Sequence, residues 1–349
     1  MSLPTMGIKT AHMPFSEVDL QSKIWKDSLL GAICFIESLP NNNTIEAIGA
    51  SIAQLQAPIL AGADVSGEIW LSHPALSSGK PLSYGSKGAI QYRFDNDLLF
   101  GVVSLPELGS LQHATESAYR EIFALMQALD YPYIYRFWNY MADINGVSNG
   151  LERYRQFNIG RKDAFLASNG ELDNQLPAAC ALGLVDGPLT VVFLLGRQPT
   201  VEIENPRQVN AYEYPEEYGP RTPSFSRATL LNAKQNAVLF ISGTASIVGH
   251  QTLHPLDVVA QTTETLVNLE AVIAEANRML GKHEFDLHDI YFRVYIRHAA
   301  DLNLVRDEIE RYIGGAIKAV YIQADICRQE LLLEIEATAG RRLELESDR

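Results

Sequence analysis

Two glutamates near the end of the chain have the residue type and spacing that acid–base chemistry requires. The segment Leu333-Glu334-Ile335-Glu336-Ala337 alternates apolar and acidic residues. In a β-strand this alternation places both carboxylates on one face. If one of them faces a cleft, burial and the charge of its neighbour would raise its pKa toward that of a working general acid. Two solvated carboxylates are the alternative that the pattern leaves open.

Further candidates lie beside this strand and in a loop-like segment. Cys327 precedes Glu334 by seven residues, and by itself it is more readily explained as a core cysteine. Residues 205–234 carry four prolines, three tyrosines and three arginines, whereas a passive linker would be richer in glycine and serine. Such a stiffened segment could form one wall of a pocket for an anionic ring compound. A packed connector between domains is the alternative.

Other chemistries have weaker support. The segment Gly146–Gly150 fits the G-x-S-x-G nucleophile elbow, but no oxyanion-hole motif precedes it, and residues 141–145 are too polar for the end of a buried strand. His250 and His254 lie in a segment typical of a loop, and H-E-x-x-H and C-x-x-C motifs are absent. No G-x-G-x-x-G or P-loop motif occurs either. We therefore expect neither a metal nor a cofactor.

Composition narrows the class of protein. The 349 residues are 47% hydrophobic and 20% charged, which is typical of a globular chain with more than one core. A net charge of −14 disfavours a nucleic-acid partner. No apolar run has the length of a membrane span, and no secretory signal is evident, so no membrane partner is expected. The three cysteines are far apart, which favours reduced thiols and a cytoplasmic location.

The elements that must position Glu334 follow the order strand, helix, strand, helix, strand over residues 238–338. Residues 98–195 repeat this order, which predicts an internal duplication with a spacing of roughly 140 to 158 residues. Before residue 98 the sequence predicts two short strands and no residues with a chemical role. The predicted divisions are an N-terminal extension (1–94), a first unit (95–204), a connecting loop (205–235), a second unit (236–340) and a tail (341–349).

The second unit resembles the YjgF/RidA-like fold. The resemblance is carried by residues 240–243, 258–271, 289–296 and 334–337. It implies an α/β (α+β) fold in which two tandem YjgF/RidA-like (chorismate-mutase-like) units form a pseudo-trimeric barrel with an N-terminal extension. Deaminases of that family carry a carboxylate-binding arginine before the final strand. Residues 315–321 contain no arginine, which argues against a tandem imine deaminase.

The chain as a whole resembles a narrower family, the chorismatases. The matching stretches span about residues 95–338, and they are Tyr135–Asn145, Glu152–Arg161, Pro220–Arg227, Ser242–Ser246 and Cys327–Glu334. The resemblance implies an enzyme that acts on chorismate and releases pyruvate. One branch of the family forms 3-hydroxybenzoate, sometimes with 4-hydroxybenzoate. Another branch hydrolyses the substrate to 3,4-dihydroxycyclohexa-1,5-diene carboxylate.

The resemblance also implies roles for individual residues. Glu334 would protonate the methylene carbon of the enolpyruvyl group. Cys327 and a small residue in the stretch containing Gly243 and Ala245 would place the chain in the aromatising branch. The substrate carries two carboxylates, so fixed cations and hydrogen-bond donors are also required. We expect these to be Arg155, Arg161, Arg221 and Arg227, with Tyr212 and Tyr218 as the donors.

The remaining expectations concern assembly and alternatives. A duplicated chain can complete a trimer-like arrangement within one molecule, so a monomer or a small homo-oligomer is expected. The hydrolytic branch is one alternative function. A non-catalytic protein that binds a small ligand on the same fold is another, and it would not need an acid at Glu334.

Overall fold

Three large β-sheets with related strand orders form the frame of the molecule. The structure is a computed structural model, and it describes residues 8–14, 23–36, 51–72, 82–168, 176–233 and 236–340. The predicted tail, 341–349, lies outside the described residues. No helix in the described part of the chain combines the length and the apolar character that crossing a bilayer requires.

The N-terminal sheet has four strands. In chain order the elements are β1 (Ile8–Met13), α1 (Lys23–Ser28), β2 (Leu29–Ile36), β3 (Ser51–Gln56), β4 (Ile59–Ala61) and β5 (Gly67–Ser72). The strand order is β1-β5-β2-β3, with β2 and β3 parallel and the other neighbours antiparallel. Strand β4 pairs instead with the sheet of the second unit.

The first unit has a six-stranded sheet. Its elements are β6 (Ser83–Lys87), β7 (Ile90–Phe94), β8 (Leu98–Leu105), α2 (Leu111–Leu129), β9 (Tyr133–Ala142), the hairpin β10 (Val147–Ser148) and β11 (Leu151–Glu152), α3 (Arg153–Ala167), β12 (Ala178–Leu184) and β13 (Leu189–Gly196). The order is β12-β9-β13-β8-β7-β6, with β12 and β9 parallel. Ser148 lies in the hairpin rather than on a strand-to-helix elbow.

The second unit repeats this arrangement. Its elements are β14 (Val201–Ile203), β15 (Ala228–Ala233), β16 (Asn236–Thr244), the hairpin β17 (Ile247–Val248) and β18 (Gln251–Thr252), α4 (Val258–Leu280), β19 (Tyr291–Ile296), α5 (Leu302–Ile313), β20 (Lys318–Gln323) and β21 (Leu333–Ala339). The order β20-β19-β21-β16-β15-β14 again contains one parallel pair, β19 and β20. This shared order confirms the predicted α+β fold with two tandem units.

The predicted boundaries shift slightly in the structure. Strand β14, which precedes the boundary expected at 204, pairs with β15 in the second sheet. Residues 228–233 of the predicted loop form β15 itself, so the connecting loop proper is residues 205–227. The inner order β12-β9-β13-β8 also has a counterpart in the N-terminal sheet, β3-β2-β5-β1. Strands β1, β2, β3 and β5 therefore form a third, smaller sheet of the same kind.

Helices cover one face of each tandem sheet, and the opposite faces share a core. Helix α4 is capped at its N-terminus by Asp257, whose carboxylate accepts a hydrogen bond from the amide of Ala260, and at its C-terminus by Gly281 in the left-handed conformation (φ 68°). On the shared side, Trp70 from the N-terminal sheet lies 5.7 Å from Trp138 of the first unit and 6.0 Å from Phe240 of the second, measured between ring centroids. The three sheets thus bury one aromatic cluster together.

A chain of four buried charges crosses the same region. Arg136 on β9 donates from Nη2 to Glu336 Oε2 on β21 at 2.6 Å, and Arg293 on β19 donates from Nη1 to Glu336 Oε1 at 2.6 Å. The other terminal nitrogen of Arg293 pairs with Glu68 on β5. We call Arg136, Glu336, Arg293 and Glu68 the ion chain. The two positive and two negative charges come from all three sheets. Arg136 of the first unit and Glu68 of the N-terminal sheet are each paired with a residue of the second-unit sheet, so separating the sheets would leave buried charges unpaired.

Removing the N-terminal end of the ion chain should destabilise the whole fold. Glu68→Ala takes one of two carboxylate partners from Arg293, whose side chain is 6% exposed. We expect the free energy of unfolding in urea to fall by about 3 kcal/mol. The control is Glu116→Ala, which breaks an exposed pair with Arg120 on α2 and should change stability by less than about 0.5 kcal/mol. Equal, small effects of both substitutions would contradict a structural role for the ion chain.

Candidate active site

A cavity of about 460 Å³ lies where the two tandem units and the connecting loop meet. The first unit contributes residues from 145 to 155, and the connecting loop contributes residues from 214 to 225. The second unit contributes residues from 243 to 247, residues 327–330 and Glu334. The volume is in the range of a small-molecule site, and both walls come from one chain.

Six of the predicted site residues line this cavity. They are Arg155, Tyr218, Gly243, Ala245, Cys327 and Glu334. The tyrosine-rich and proline-rich loop therefore does form part of a pocket wall, through Tyr214, Tyr218 and Pro223. The four remaining candidates, Arg161, Arg221, Arg227 and Tyr212, lie outside the lining.

Those four side chains have other partners. Arg161 is buried between α3 and its sheet, with its guanidinium carbon 5.2 Å from the ring centroid of Tyr119 and 5.6 Å from that of Phe137. Arg221 faces Asp163 at the surface, with 3.3 Å between Nε and Oδ1. The hydroxyl of Tyr212 accepts a hydrogen bond from Asn210 at 2.9 Å.

Arg227 supports the pocket from behind. It donates to the hydroxyl of Tyr214 at 2.8 Å and to the carbonyl of Val209 at 2.9 Å. Tyr214 is itself a lining residue. The arginine therefore holds a pocket wall, and the structure gives it no direct place in the cavity.

Glu334 has the environment of a carboxyl group that stays neutral. It is 3% exposed, lies on β21 opposite Tyr295 of β19, and its Oε1 has no hydrogen-bond partner among the described residues. Burial, and after it the charge of Glu336, raises the pKa of Glu334 to about 8, against the opposing effect of Arg136. A protonated carboxyl group at neutral pH follows.

Gly243 provides the space in which this carboxyl sits. The pairing of β16 with β21 shifts register between Ile241 and Thr244, so the backbone is irregular at Gly243. A Cβ built on Gly243 would collide with Oε1 of Glu334. A side chain at position 243 would therefore displace the carboxyl group of Glu334 from its present position.

Glu336, two residues further along β21, is in the opposite state. It accepts hydrogen bonds from Arg136, from Arg293 and, at 2.9 Å, from the hydroxyl of Tyr295. Burial alone would raise the pKa of Glu336, but Arg136 and Arg293 together hold it below its ordinary value. The strand thus carries one neutral carboxyl group and one carboxylate. Both lie on the same face of β21, as the alternation of apolar and acidic residues predicted.

Cys327 lies beside this acid as a thiol. Burial, followed by the charge of Glu334, raises its pKa to about 12. The thiolate is the nucleophilic form of cysteine, so at neutral pH this side chain is a weakly polar wall rather than a nucleophile.

The loop that carries Cys327 is held by Arg297 at the end of β19. The guanidinium donates to Asp325 Oδ1 at 2.5 Å, to Asn145 Oδ1 at 3.0 Å, and to the carbonyls of Ile326 and Arg328. Because Asn145 belongs to the first unit, this one cation fixes the loop across the boundary between the units.

Arg328 is the functional candidate that the sequence did not single out. Its guanidinium carbon lies 4.0 Å from the ring centroid of Tyr218, and Nη1 donates to the carbonyl of His250 at 2.9 Å. Its Nη2 is buried without a partner in the described part of the chain. A buried guanidinium nitrogen with an unused donor, on a residue that lines the cavity, is suited to an anionic group of a ligand. Its position next to Cys327 was the available signal.

Comparisons with known proteins identify relatives over most of the chain. Residues 68–195 match the family described as "Chorismatase FkbO/Hyg5-like, N-terminal". A 3-hydroxybenzoate synthase of Streptomyces hygroscopicus is 38% identical over 264 residues, which cover 72% of this chain and 77% of that protein. A chorismatase of Streptomyces rapamycinicus is 38% identical over 269 residues, covering 74% of this chain and 80% of that protein.

A solved structure extends the likeness to the whole fold. A crystal structure of a chorismatase superposes with a TM-score of 0.84 at 32% identity, and the match covers 97% of this chain and 100% of that one. The match therefore includes the N-terminal sheet as well as the tandem units.

The buried acid should make stability depend on pH. The unfolded chain loses the proton of Glu334 near its ordinary pKa of 4.5, whereas the folded protein keeps it until about pH 8. The contribution of the neutral carboxyl group to the free energy of unfolding is therefore fully present below pH 4.5, and it is lost as the pH rises toward 8. Glu334→Gln abolishes this loss. We expect the variant to gain about 3 to 5 kcal/mol relative to the parent between pH 4.5 and 9.

Urea unfolding at several pH values measures this gain. Asp307→Asn, which neutralises an exposed carboxylate on α5, is the matched control and should show no such trend. Parallel stability curves for the parent protein and Glu334→Gln would contradict a neutral Glu334.

Proposed function

The chain belongs to the chorismatase family and is an enzyme that acts on chorismate, and we propose that it forms 3-hydroxybenzoate and pyruvate with Glu334 as the general acid. The observation that carries this proposal is the buried, neutral carboxyl of Glu334 in the cavity between the units. The curated relative named 3-hydroxybenzoate synthase supports the choice of product.

The chemistry needs an acid with these properties. The enolpyruvyl ether of chorismate is unreactive until its terminal methylene carbon accepts a proton. The acid must therefore hold its proton at the working pH and lie against an apolar part of the substrate. A pKa of about 8 leaves Glu334 mostly protonated at neutral pH. Because no group of the described residues forms a hydrogen bond with the buried Oε1, the proton is free to be directed at carbon.

Protonation produces an oxocarbenium ion, and the next step decides the product. If water adds, the ether is hydrolysed and a non-aromatic diol leaves with pyruvate. If water is excluded, the neighbouring ring hydroxyl displaces the pyruvate oxygen, and the ring rearranges to a phenol. Hydroxybenzoate and pyruvate together contain all the atoms of chorismate, so this route consumes no water. The Cys327 thiol and the aromatic ring of Phe225 are lining groups that support exclusion of water.

Two carboxylates of the substrate need cations. We assign the substrate carboxylate that lies deeper in the cavity to Arg328, because Nη2 of this residue has an unused donor there. Arg155 is the second cation, at the rim, where its Nε donates to Glu152 at 3.0 Å and its side chain is 37% exposed. Tyr218 completes the wall by stacking against Arg328.

A single chain supplies every group that the proposed reaction uses. Both walls of the cavity, the acid and the two cations belong to the same polypeptide, so we propose that a monomer is active. We also propose a cytoplasmic location, since the three cysteines are free thiols.

Replacing the acid should abolish chemistry but leave binding intact. Glu334→Gln keeps the shape of the side chain and removes its proton. We expect kcat to fall by about 10³-fold, within the range for loss of a general acid, while the affinity for chorismate changes less than about threefold. Pyruvate release measures kcat, and calorimetry measures binding. Glu213→Gln, an exposed residue of the connecting loop outside the cavity, is the control. Unchanged turnover in Glu334→Gln would remove Glu334 from this role.

Arg328 should act mainly on binding. Arg328→Lys keeps the charge but loses the fork geometry and the stacking on Tyr218. We expect KM for chorismate to rise by about 10- to 100-fold, with a smaller change in kcat and the same ratio of products. Arg155→Lys at the exposed rim is the matched comparison, and its effect should be smaller. An unchanged KM in Arg328→Lys would show that this guanidinium does not hold the substrate.

A further inference from the structure

We propose that Glu336 is a positioning residue for the reaction: it binds the guanidinium of Arg136, which would otherwise be a counter-ion for Glu334, and so keeps Glu334 in the acid form. The inference rests on the proposed function of Glu334, and it assigns a catalytic purpose to part of the ion chain.

The first support is that the guanidinium of Arg136 uses both of its terminal nitrogens in hydrogen bonds to groups other than Glu334. Its Nη1 donates to the carbonyls of Ile241 at 2.6 Å and Ala337 at 3.1 Å, and its Nη2 donates to Glu336 at 2.6 Å. Its Nε has no partner among the described residues. Both terminal nitrogens are thus directed to Glu336 and to the backbone, and neither reaches Glu334.

The second support is the spacing of the two carboxyl groups. Glu334 and Glu336 point to the same face of β21, about 7 Å apart along the strand. Both are almost completely buried, at 3% and 2% exposure. A full charge on both would be unfavourable at this distance in a protein interior, so the one with donors ionises and the other stays neutral. Glu336 has three donors, and Glu334 Oε1 has none in the described structure.

Other groups face Glu334 from each neighbouring element, and none replaces Arg136 as its cation. The strands contribute Arg136 on β9, Cys180 on β12, Tyr295 on β19 and Glu336 on β21. The first turn of α3 contributes Tyr154, and the loop before β21 contributes Cys327, Arg328 and Glu330. Arg328 donates from Nη1 to the carbonyl of His250 and stacks on Tyr218, and no hydrogen bond joins it to Glu334. Arg136 is the cation that favours ionisation of Glu334.

The rest of the ion chain explains why Glu336 keeps its charge. Arg293 holds the second oxygen of Glu336 and is itself paired with Glu68. If the ion chain served only to join the sheets, neutral or apolar residues of similar volume could replace it. A carboxylate two residues from the acid has a further effect, which is to oppose loss of the proton from Glu334.

The experiment is an infrared titration of the full-length protein without substrate. The carbonyl band of the protonated carboxylic acid is assigned to Glu334 by its absence in Glu334→Gln, and its midpoint pH is measured. In Glu336→Gln we expect the midpoint to fall by at least about one pH unit, since a negative neighbour is lost and Arg136 is released. The basic limb of the kcat profile should move in the same direction. Glu336→Asp, which retains the negative charge, should keep the midpoint close to that of the parent protein.

A second variant and a control keep the test independent of folding. Arg136→Gln removes the cation and should move the midpoint to higher pH, the opposite direction. Glu68→Gln removes a charge at the far end of the ion chain, and it should lower stability without moving the midpoint. An unchanged midpoint in both Glu336→Gln and Arg136→Gln would overturn the inference.

The two proposals fail separately. If the midpoint shifts as expected but the parent protein leaves chorismate unchanged, the proposed function falls, and with it the catalytic purpose given to this pair. If chorismate is converted in a Glu334-dependent way but the midpoint does not move, the positioning role alone is overturned.

Discussion

The structure depends on the pairing of buried charges at the meeting point of its three sheets. Arg136, Glu336, Arg293 and Glu68 are each nearly inaccessible to solvent, and an unpaired charge there would cost several kcal/mol. Two of the three pairs, Arg136–Glu336 and Arg293–Glu68, join different sheets, and the third, Arg293–Glu336, joins neighbouring strands of the second-unit sheet. The same arrangement brings β21 against β9 and so places Glu334 at the end of the cavity. Stability and the geometry of the acid therefore have one origin.

Two glutamates on one strand show how environment divides identical side chains between roles. Glu336 receives guanidinium and phenol donors and is an anion, whereas Glu334 receives none at Oε1 and remains an acid. The strand irregularity at Gly243 makes room for the neutral group. A buried carboxyl oxygen without a hydrogen bond destabilises the folded state, and the paired charges beside Glu334 are part of what holds it in place.

Much of this could be predicted from the pattern of residues, and the remainder required three dimensions. Alternation along β21 fixed the shared face of Glu334 and Glu336, and element order indicated the tandem units. Residue type did not distinguish an arginine that faces a cavity from one that packs among aromatic rings, so Arg161 was expected in the pocket although it lies beneath α3. Arg328 was missed because its role arises from a stacking partner about 110 positions away in sequence. The N-terminal sheet was missed because its one described α-helix, Lys23–Ser28, is too short to give a helical period.

The most direct test of the central claim is turnover of chorismate in D₂O, with the products examined by proton NMR soon after mixing. The account predicts 3-hydroxybenzoate and an equal amount of pyruvate whose methyl group carries one deuterium, because the proton delivered by Glu334 is in exchange with solvent. 4-Hydroxybenzoate would appear in the same spectrum if it is a second product. Pyruvate with an unlabelled methyl group would contradict protonation of the methylene carbon by an exchangeable acid. A non-aromatic diol in place of hydroxybenzoate would keep the acid and contradict the exclusion of water.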